Sequence, residues 1–298
     1  MSEGERKSAE GYGTTGHSWD GIEEWNNPLP RWWLWVFYIT VIWGIGYTIA
    51  YPAWPLVDRA TSGLLGYSTR DQVVERIAEA EARNAGLHEQ LAVADLSEVT
   101  ANAELVNYAV RAGAAVFRNN CSQCHGAGAD GLRMGSGYPN LLDDDWLWGG
   151  TVERIAYTVR HGIRNEQSDD AHWSEMPAFG RDELLGETEI AQVVHYVRQL
   201  AGLEHDPALS GPGEEIFLNE CSACHTEDGT GDPEQGAPNL ADAIWLYGGS
   251  VEDLTETVAN ARFGVMPAWS EEYRAGGGLD DAEVNAVAVY VHRLGGGE

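Results

Sequence analysis

The stretch CSQCH at residues 121–125 decides how this chain folds, and CSACH at residues 221–225 repeats it. C-x-x-C-H is the attachment signature of c-type haem: the thiols form thioethers and the adjacent histidine ligates the iron. The 4 cysteines of the chain all lie in these motifs. A pair of redox or zinc half-sites is the alternative, but it leaves the adjacent histidines unexplained. The sequence therefore predicts two covalently bound haem c groups, held by Cys121, Cys124, Cys221 and Cys224, with His125 and His225 on the iron.

The repeat extends well beyond these motifs. Five further pairs of segments correspond, among them GAAVF at 113–117 with GEEIF at 213–217, WLWGG at 146–150 with WLYGG at 245–249, and MPAF at 176–179 with MPAW at 266–269. The spacing between the copies shortens before the methionine, so the first copy has the longer loop there. An internal repeat of this kind predicts two homologous domains.

The repeated residues resemble the class I cytochrome c fold. In that fold a helix ending at C-x-x-C-H crosses a C-terminal helix, and a glycine allows the close approach. The resemblance implies that Phe117 meets Tyr196 at the first crossing, and that Phe217 meets Tyr290 at the second. The predicted fold class is mainly α: one N-terminal transmembrane helix followed by two tandem class I cytochrome c domains.

The remaining ligands of the iron come from loops. The same resemblance implies that the ligating histidines donate their second ring N–H to the carbonyls of Pro139 and Pro238, which fixes the imidazole tautomer. Met176 and Met266 each precede a proline ahead of a predicted C-terminal helix, and they are the predicted sixth ligands. Met134, in a glycine-rich stretch without a counterpart, is predicted to be a loop residue. The sequence leaves open whether each methionine serves the haem of its own repeat or that of the other.

Other polar residues give weaker signals. His161, near Arg160 and Arg164, is a candidate contact to a haem propionate. We expect Glu183, Glu187 and the aspartates at 143–145 to be exposed. No catalytic triad, phosphate loop or non-haem metal cluster is evident, so the sequence shows no catalytic centre of its own.

An uncharged stretch of twenty residues, WWLWVFYITVIWGIGYTIAY at 32–51, predicts a membrane anchor. At about 1.5 Å per residue, such a helix spans the roughly 30 Å hydrocarbon core. Aromatic residues at both ends are typical of membrane interfaces. A buried soluble helix and a cleaved signal peptide are the alternatives, but the preceding thirty residues are polar and acidic, unlike a signal sequence.

The segment GHSWDGIEEWNNPLPRWW at 16–33 resembles the N-terminal signature of the CcoP/FixP family, the dihaem membrane-anchored subunit III of cbb3-type cytochrome c oxidase. The resemblance covers nearly the whole chain. Pro28 and Pro30 also exclude a helix just before the span. An acidic, aromatic run of this kind suits docking on a partner, and a disordered tail is the alternative.

The family resemblance implies an electron-transfer role in aerobic or microaerobic respiration, within a proton-transporting complex. Electrons would pass from a soluble or membrane-bound periplasmic cytochrome c through the two haems toward a catalytic haem–copper subunit, with a monohaem cytochrome subunit as a further partner. The chain would lie in the bacterial inner membrane as a single-pass protein, with its N-terminus cytoplasmic and its haem domains periplasmic. The alternatives are an electron carrier of another respiratory complex and a dihaem peroxidase, against which both Met-Pro pairs argue.

The predicted organisation follows from these segments. It comprises a cytoplasmic segment at 1–31, the anchor at 32–54, a linker with a spacer helix at 55–103, and cytochrome c domains at 104–204 and 208–298. Within the linker, helical spacing at 70–92 leaves Val73, Ile77, Leu87 and Leu91 to pack on a partner subunit. A further helix is expected to begin near 102–104, and the domain joint near 202–213, where proline and glycine favour a short turn.

The net charge of −29 limits the kinds of macromolecule that this chain is expected to bind. Such an acidic chain does not suit nucleic acid or an anionic membrane surface. It suits a basic soluble protein, because complementary charge speeds encounter. The alternative is that the acidity only keeps a periplasmic protein soluble.

Overall fold

The computed structural model describes residues 13–99, 101–131 and 135–297. Met134, predicted to be a loop residue, lies outside the described residues. The chain divides into two compact units, Met1–Ala82 and Arg83–Glu298, and the division falls inside one helix.

The described part of the first unit contains, ahead of its helices, a β-hairpin that the sequence analysis did not predict. Strand β1 (Thr14–Trp19) pairs antiparallel with β2 (Ile22–Trp25). Asp20 and Gly21 join them with φ of 51° and 84°, and Asp-Gly is a favoured pair for such a two-residue turn because both positions need positive φ. Residues 13–30 contain no helix, as the two prolines predict.

Helix α1 (Arg31–Ala50) follows the hairpin, and no residue in it is buried. It is long and apolar enough to cross a membrane, by its length and composition. The helix ends earlier than the predicted anchor at 32–54, because Pro52 has no N–H to continue the helical hydrogen bonds.

Helix α2 (Thr69–Ala92) is the predicted spacer helix. The prediction that its apolar residues pack on a partner subunit is wrong for two of them. Leu91 is fully buried and Leu87 partly buried in a core of this chain, while Val73 and Ile77 are exposed. Asn285 fixes the end of α2 by donating its side-chain N–H to the carbonyl of Leu91 at 2.9 Å.

The second unit consists of short helices joined by long loops. After α3 (Leu96–Val99), helix α4 (Ala103–Val116) begins where predicted, with Asn102 accepting from two main-chain N–H groups as its N-cap. The following elements are α5 (Ser122–His125), α6 (Val152–His161), α7 (Glu187–Leu200), α8 (Pro207–Glu220), α9 (Ser222–His225), α10 (Val251–Asn260) and α11 (Asp281–His292).

The helices pair across the two repeats rather than within them. Helix α4 crosses α11, and α7 crosses α8. Accordingly Phe117 meets Tyr290, with ring centroids 5.6 Å apart, and Phe217 meets Tyr196 at 5.4 Å. The expected pairing of Phe117 with Tyr196 and of Phe217 with Tyr290 is therefore wrong. The two copies have the glycine, phenylalanine and tyrosine of the crossing in common, so these residues do not distinguish one C-terminal helix from the other. Neighbouring contacts differ, since Gly113 meets Ala286 and Gly213 meets Gln192.

Two hydrophobic cores result from this exchange. The first core surrounds Phe117 and combines side chains of α3, α4 and α6 with those of α11. The second core surrounds Phe217 and combines α8 and α10 with α7. Both cores thus contain helices from both repeats. The predicted domain limits, 104–204 and 208–298, describe the sequence repeats and stay a prediction.

The joint between the repeats is short. It comprises residues 201–206, between the end of α7 and Asp206, whose carboxylate caps α8. The joint was expected to reach Gly213, but Pro207 occupies the first turn of α8 and Pro212 lies inside that helix. A short joint turns α8 directly back onto α7, which explains why these neighbours pair.

Candidate functional site

The first C-x-x-C-H motif lies where α4 continues through a π-helical turn, Phe117–Cys121, into α5. Cys121 is half-buried, Cys124 is exposed, and neither forms a disulfide. The hydroxyl of Ser122 donates to the carbonyl of Arg118 at 2.8 Å, which holds the turn. Gly126 then ends α5 with φ of 81°.

The second motif has the same arrangement at the end of α8. Cys221 is half-buried, Cys224 is exposed, and both are free. Thr226 ends α9 with φ of 65°, where the first motif has glycine. Side-chain hydrogen bonds to Thr226 stabilise this unfavourable backbone, among them one of 2.7 Å with the Asp228 carboxylate.

Both motif histidines have one ring nitrogen already engaged. The distance from His125 Nδ1 to the carbonyl oxygen of Pro139 is 3.1 Å, and that from His225 Nδ1 to Pro238 is 3.0 Å. A carbonyl only accepts, so Nδ1 carries the hydrogen and Nε2 is left with its lone pair free to bind a metal. Burial lowers the pKa of both histidines, although the proline carbonyls oppose it, and this favours the neutral ring that a metal requires.

The first cysteine of each motif faces apolar surroundings. Burial raises the pKa of Cys121 to about 11 and that of Cys221 to about 12. Cys121 packs against the first core and Cys221 against the second. Each apolar core is therefore adjacent to one attachment motif.

The two candidate methionines lie in loops that cross between the repeats. Met266 packs against the first core, which Cys121 also contacts. Three residues beyond it, the N–H of Trp269 donates to Val159 of α6 at 3.1 Å. The loop of Met176 instead joins α10, since the N–H of Phe179 donates to Val258 at 3.0 Å.

Three buried donor groups lack a hydrogen-bond partner in the described part of the second unit. They are the indole N–H groups of Trp148 and Trp245 and one guanidinium nitrogen of Arg274. Unpaired buried donors are costly and indicate a missing acceptor. Carboxylate groups such as haem propionates are suitable acceptors. Each motif also has two free thiols and a histidine whose Nε2 is available. Together with the unpaired donors, these groups fit the binding of haem c.

The remaining histidines lie in polar or aromatic contacts. His161 Nδ1 is 3.1 Å from the hydroxyl oxygen of Ser168, so its proposed contact with a propionate stays a prediction. The ring of His172 stacks on Trp148, with centroids 4.2 Å apart. His88 lies 3.0 Å from both the Tyr108 hydroxyl and a carboxylate oxygen of Asp280. Among residues 13–99, 101–131 and 135–297, no three His, Cys, Asp or Glu side chains form a candidate metal cluster.

The acidic residues only partly match the expectation of exposure. Glu183, Glu187 and Asp144 are exposed, as predicted. Asp143 and Asp145 are instead partly buried. Burial raises the pKa of Asp145 to about 6, and the nearby carboxylates, first that of Asp242, add to the effect. Asp143 and Asp145 precede a tryptophan that packs against the first core, and this brings them away from solvent.

Sequence reasoning did not identify two residues that contact the methionine loops, Arg164 and Asn165. Arg164 donates to the carbonyls of Gly264 and Ser174, and Asn165 donates to that of Met266. Both residues lie at the start of the longer loop of the first repeat. The extra length of that loop was the one feature of the sequence that could have drawn attention to them. Their contacts join residues far apart in the chain, which spacing does not reveal.

The two attachment sites and the apolar helix α1 define a class of protein, the membrane-anchored c-type cytochromes with two haem groups. Comparison with known families is consistent with this class. Residues 11–58 match the N-terminal domain of cytochrome oxidase-cbb3, FixP. Residues 108–197 match cytochrome c oxidase, cbb3-type, subunit III, and residues 210–295 match cytochrome c.

Curated relatives resemble the chain over almost its full length. The CcoP subunit of Cereibacter sphaeroides is 59% identical, with 96% of this chain and 95% of the relative covered. The CcoP subunit of Rhodobacter capsulatus is 52% identical, with 96% of each covered. The FixP subunit of Sinorhizobium medicae is 48% identical, with 97% and 96% covered. The chain belongs to the CcoP/FixP family of cbb3-type cytochrome c oxidase subunits, and it is a dihaem electron-transfer subunit.

Proposed function

We propose that this chain is the electron-entry subunit of its oxidase, and that eight residues hold its two haem groups. The covalent bonds are made by the cysteines and the iron is ligated by histidine and methionine: Cys121, Cys124, Cys221, Cys224, His125, His225, Met176 and Met266. Haem iron alternates between its ferric and ferrous states and so transfers single electrons. The chain's own residues would fix the ligands and bury each group beside an apolar core.

The exchange of helices supports a crossed pairing of the ligands. Met266 packs against the same core as Cys121, whereas the loop of Met176 joins α10 beside the second core. We therefore assign Met266 to the haem on Cys121 and Cys124, and Met176 to the haem on Cys221 and Cys224. Met/His ligation raises the reduction potential, which suits electron delivery to an oxygen-reducing enzyme.

A pair of single-haem backgrounds tests this assignment. Replacing Cys121 and Cys124 by alanine leaves only the second haem. In that background Met176→Ala should give a high-spin, carbon monoxide-binding haem, while Met266→Ala should remain low-spin. The reciprocal background, without Cys221 and Cys224, should show the opposite response. Responses within each repeat would contradict the crossed pairing, and unchanged spectra throughout would contradict both methionines as ligands.

The donor and the neighbouring subunits form the second part of the proposal. A basic periplasmic cytochrome c suits the charge of −29, and the electrons would continue toward a monohaem cytochrome subunit and a haem–copper subunit. Purification of the native complex should recover both subunits with this chain. If the chain co-purified with a dehydrogenase or another respiratory complex instead, the assignment of partners would fail.

Helix α1 supports a single-pass topology, with the N-terminus cytoplasmic and the haem groups periplasmic. Because haem c is attached outside the bacterial inner membrane, residues beyond Pro52 would lie in the periplasm. Removing residues 1–60 and directing the remainder to the periplasm should give a soluble red protein that is reducible but no longer supports oxygen consumption by membranes. A product that stays with the membrane would show that α1 is not the sole anchor.

A further inference from the structure

The loop that follows α6 is longer in the first repeat than its counterpart after α10. It leads from His161 to Met176, whereas only a few residues separate Asn260 from Met266. Ile163 lies at its start and forms an antiparallel bridge with Met266: their main-chain N–H···O distances are 2.8 and 3.0 Å. This bridge brings the beginning of the first repeat's loop against the methionine of the second.

Arg164, the next residue, reaches both methionine loops with one guanidinium group. Its Nε donates to the carbonyl of Gly264 at 2.7 Å, and its Nη1 donates to that of Ser174 at 2.9 Å. Gly264 precedes Met266 by two positions, and Ser174 precedes Met176 by the same number. One side chain thus contacts equivalent points of the two loops that present the proposed iron ligands.

The surroundings of Arg164 favour a fixed position. Its side chain is half-buried and lies over the ring of Phe263, 5.5 Å from the centroid. Its backbone has φ of 47°, in the left-handed region, where a residue other than glycine requires support from its contacts. A guanidinium group remains charged in proteins, and its planar fork can donate in two directions at once.

We propose that Arg164 is a positioning residue that holds both methionine loops against their irons and thereby couples the two haem sites. This inference rests on the proposed function, because it takes Met176 and Met266 as the ligands. Hydrogen bonds from a charged donor are stronger than neutral ones. Loss of Arg164 would therefore loosen both loops together.

Asn165 provides a natural comparison, because it contacts the main chain of Met266 directly and reaches the first repeat's loop only at Gln167, nine positions before Met176, whose N–H its Oδ1 accepts at 3.0 Å. Its Nδ2 donates to the carbonyl of Met266 at 3.1 Å and to that of His161 at 2.9 Å, and its side chain is buried. The described residues give the main chain of Met176 no equivalent hydrogen bond. Asn165→Ala should therefore act chiefly on the iron that Met266 ligates, with a smaller effect or none at the other iron.

The experiment compares Arg164→Met, Arg164→Lys and Asn165→Ala in the full chain, purified within its oxidase complex. Readouts are the near-infrared charge-transfer band of methionine-ligated ferric haem, carbon monoxide binding by the reduced chain, and the two reduction potentials. For Arg164→Met we expect the methionine-free fraction to rise about tenfold at both haems, as loss of a charged hydrogen bond implies. Arg164→Lys keeps the charge without the fork and should give a smaller change at both haems.

A matched control separates positioning from general destabilisation. Arg198 also bridges separate segments through carbonyls, donating from Nε to Glu204 at 2.8 Å and from Nη1 to Gly249, but it contacts neither methionine loop. Arg198→Met should leave both haem spectra unchanged. If Arg164→Met changed one haem or none, while Met176→Ala and Met266→Ala each abolished one band, the coupling role would be wrong and the ligand assignment would stand. If neither methionine variant lost its band, the ligand assignment would itself be wrong.

Discussion

At the scale of single residues, two glycines determine how closely the paired helices approach. A Cβ atom on Gly113 would overlap the carbonyl oxygen of Ala286, and one on Gly213 would overlap that of Gln192. Each glycine lies one turn before the phenylalanine of its core, at the crossing of α4 with α11 or of α7 with α8. Only a residue without a side chain lets the backbones meet at these two points.

Gly113→Ala should therefore destabilise the protein by about 1–3 kcal/mol, since the added methyl group forces the helices apart. Denaturant unfolding followed by circular dichroism measures the change. Gly86→Ala is the matched control, because Gly86 lies on α2 and a Cβ added there would meet no atom within 4 Å beyond the nearby backbone of its own helix. That substitution should stabilise by up to about 1 kcal/mol through helix propensity alone. Equal effects of the two substitutions would contradict the close crossing.

The carboxyl group of Asp145 should make a pH-dependent contribution to the stability of the folded protein. Burial, with the charges of Asp242 and two neighbouring aspartates, raises its pKa from 3.8 to about 6. Because the folded state binds this proton more tightly, the contribution of the carboxyl is fully favourable below about pH 4 and is lost as the pH rises through about 6. Asp145→Asn, which mimics the protonated form, should raise the melting temperature at neutral pH and change it little near pH 4.

The exposed neighbour Asp144 gives the control for this measurement. Asp144→Asn removes the same charge from solvent and should shift the melting temperature less at neutral pH. An Asp145→Asn gain of the same size at both pH values would show that packing, not ionisation, is responsible.

At the scale of elements, the exchange of helices makes the repeats depend on one another. Helix α4 buries its apolar face against α11, and α8 buries its own against α7. The N-terminal and C-terminal helices of one repeat, α4 and α7 or α8 and α11, do not pair with each other in the protein.

Fragments 83–204 and 205–298 test this dependence. Expressed separately, each lacks the native partner of its first helix, and we expect weak helicity and no cooperative thermal transition. Expressed together, they should associate as one complex with both haem groups low-spin. If each fragment alone unfolded cooperatively with a low-spin haem, the exchange would not be required for folding.

At the scale of the whole molecule, the net charge bears on the proposed encounter with a basic electron donor. The chain has 47 acidic and 18 basic residues. An excess of this size attracts basic proteins and is screened by salt over about 10 Å at 0.1 M ionic strength.

Electron transfer from a lysine-rich cytochrome c should therefore slow by about tenfold or more as ionic strength rises from about 0.02 to 0.5 M. Stopped-flow measurement of haem reduction gives the rate. Reduction by an uncharged small molecule is the control and should be independent of salt. A salt-independent rate with the basic protein would show that charge does not steer the encounter.

Part of this structure was accessible from local sequence. Helix α4 with its N-cap Asn102, the membrane-length helix α1 and the short joint between the repeats all follow from nearby residues. The hairpin could also have been predicted, because Asp20-Gly21 is a strong signal for a two-residue turn. The burial of Leu91 and Asp145 could not have been predicted in this way, because it depends on α11 and on other segments far away in the chain.

By itself the sequence determined that the chain has two haem-attachment motifs, two candidate methionines and one apolar span, because covalent attachment and membrane insertion depend on contiguous residues. Only the tertiary structure decided that α4 crosses α11 and that Met266 lies beside the first core. The glycine, phenylalanine and tyrosine of the crossing occur in both repeats, so these residues alone do not select between the two C-terminal helices. The choice between them is made by the short joint, which directs α8 onto α7 and leaves α11 for α4.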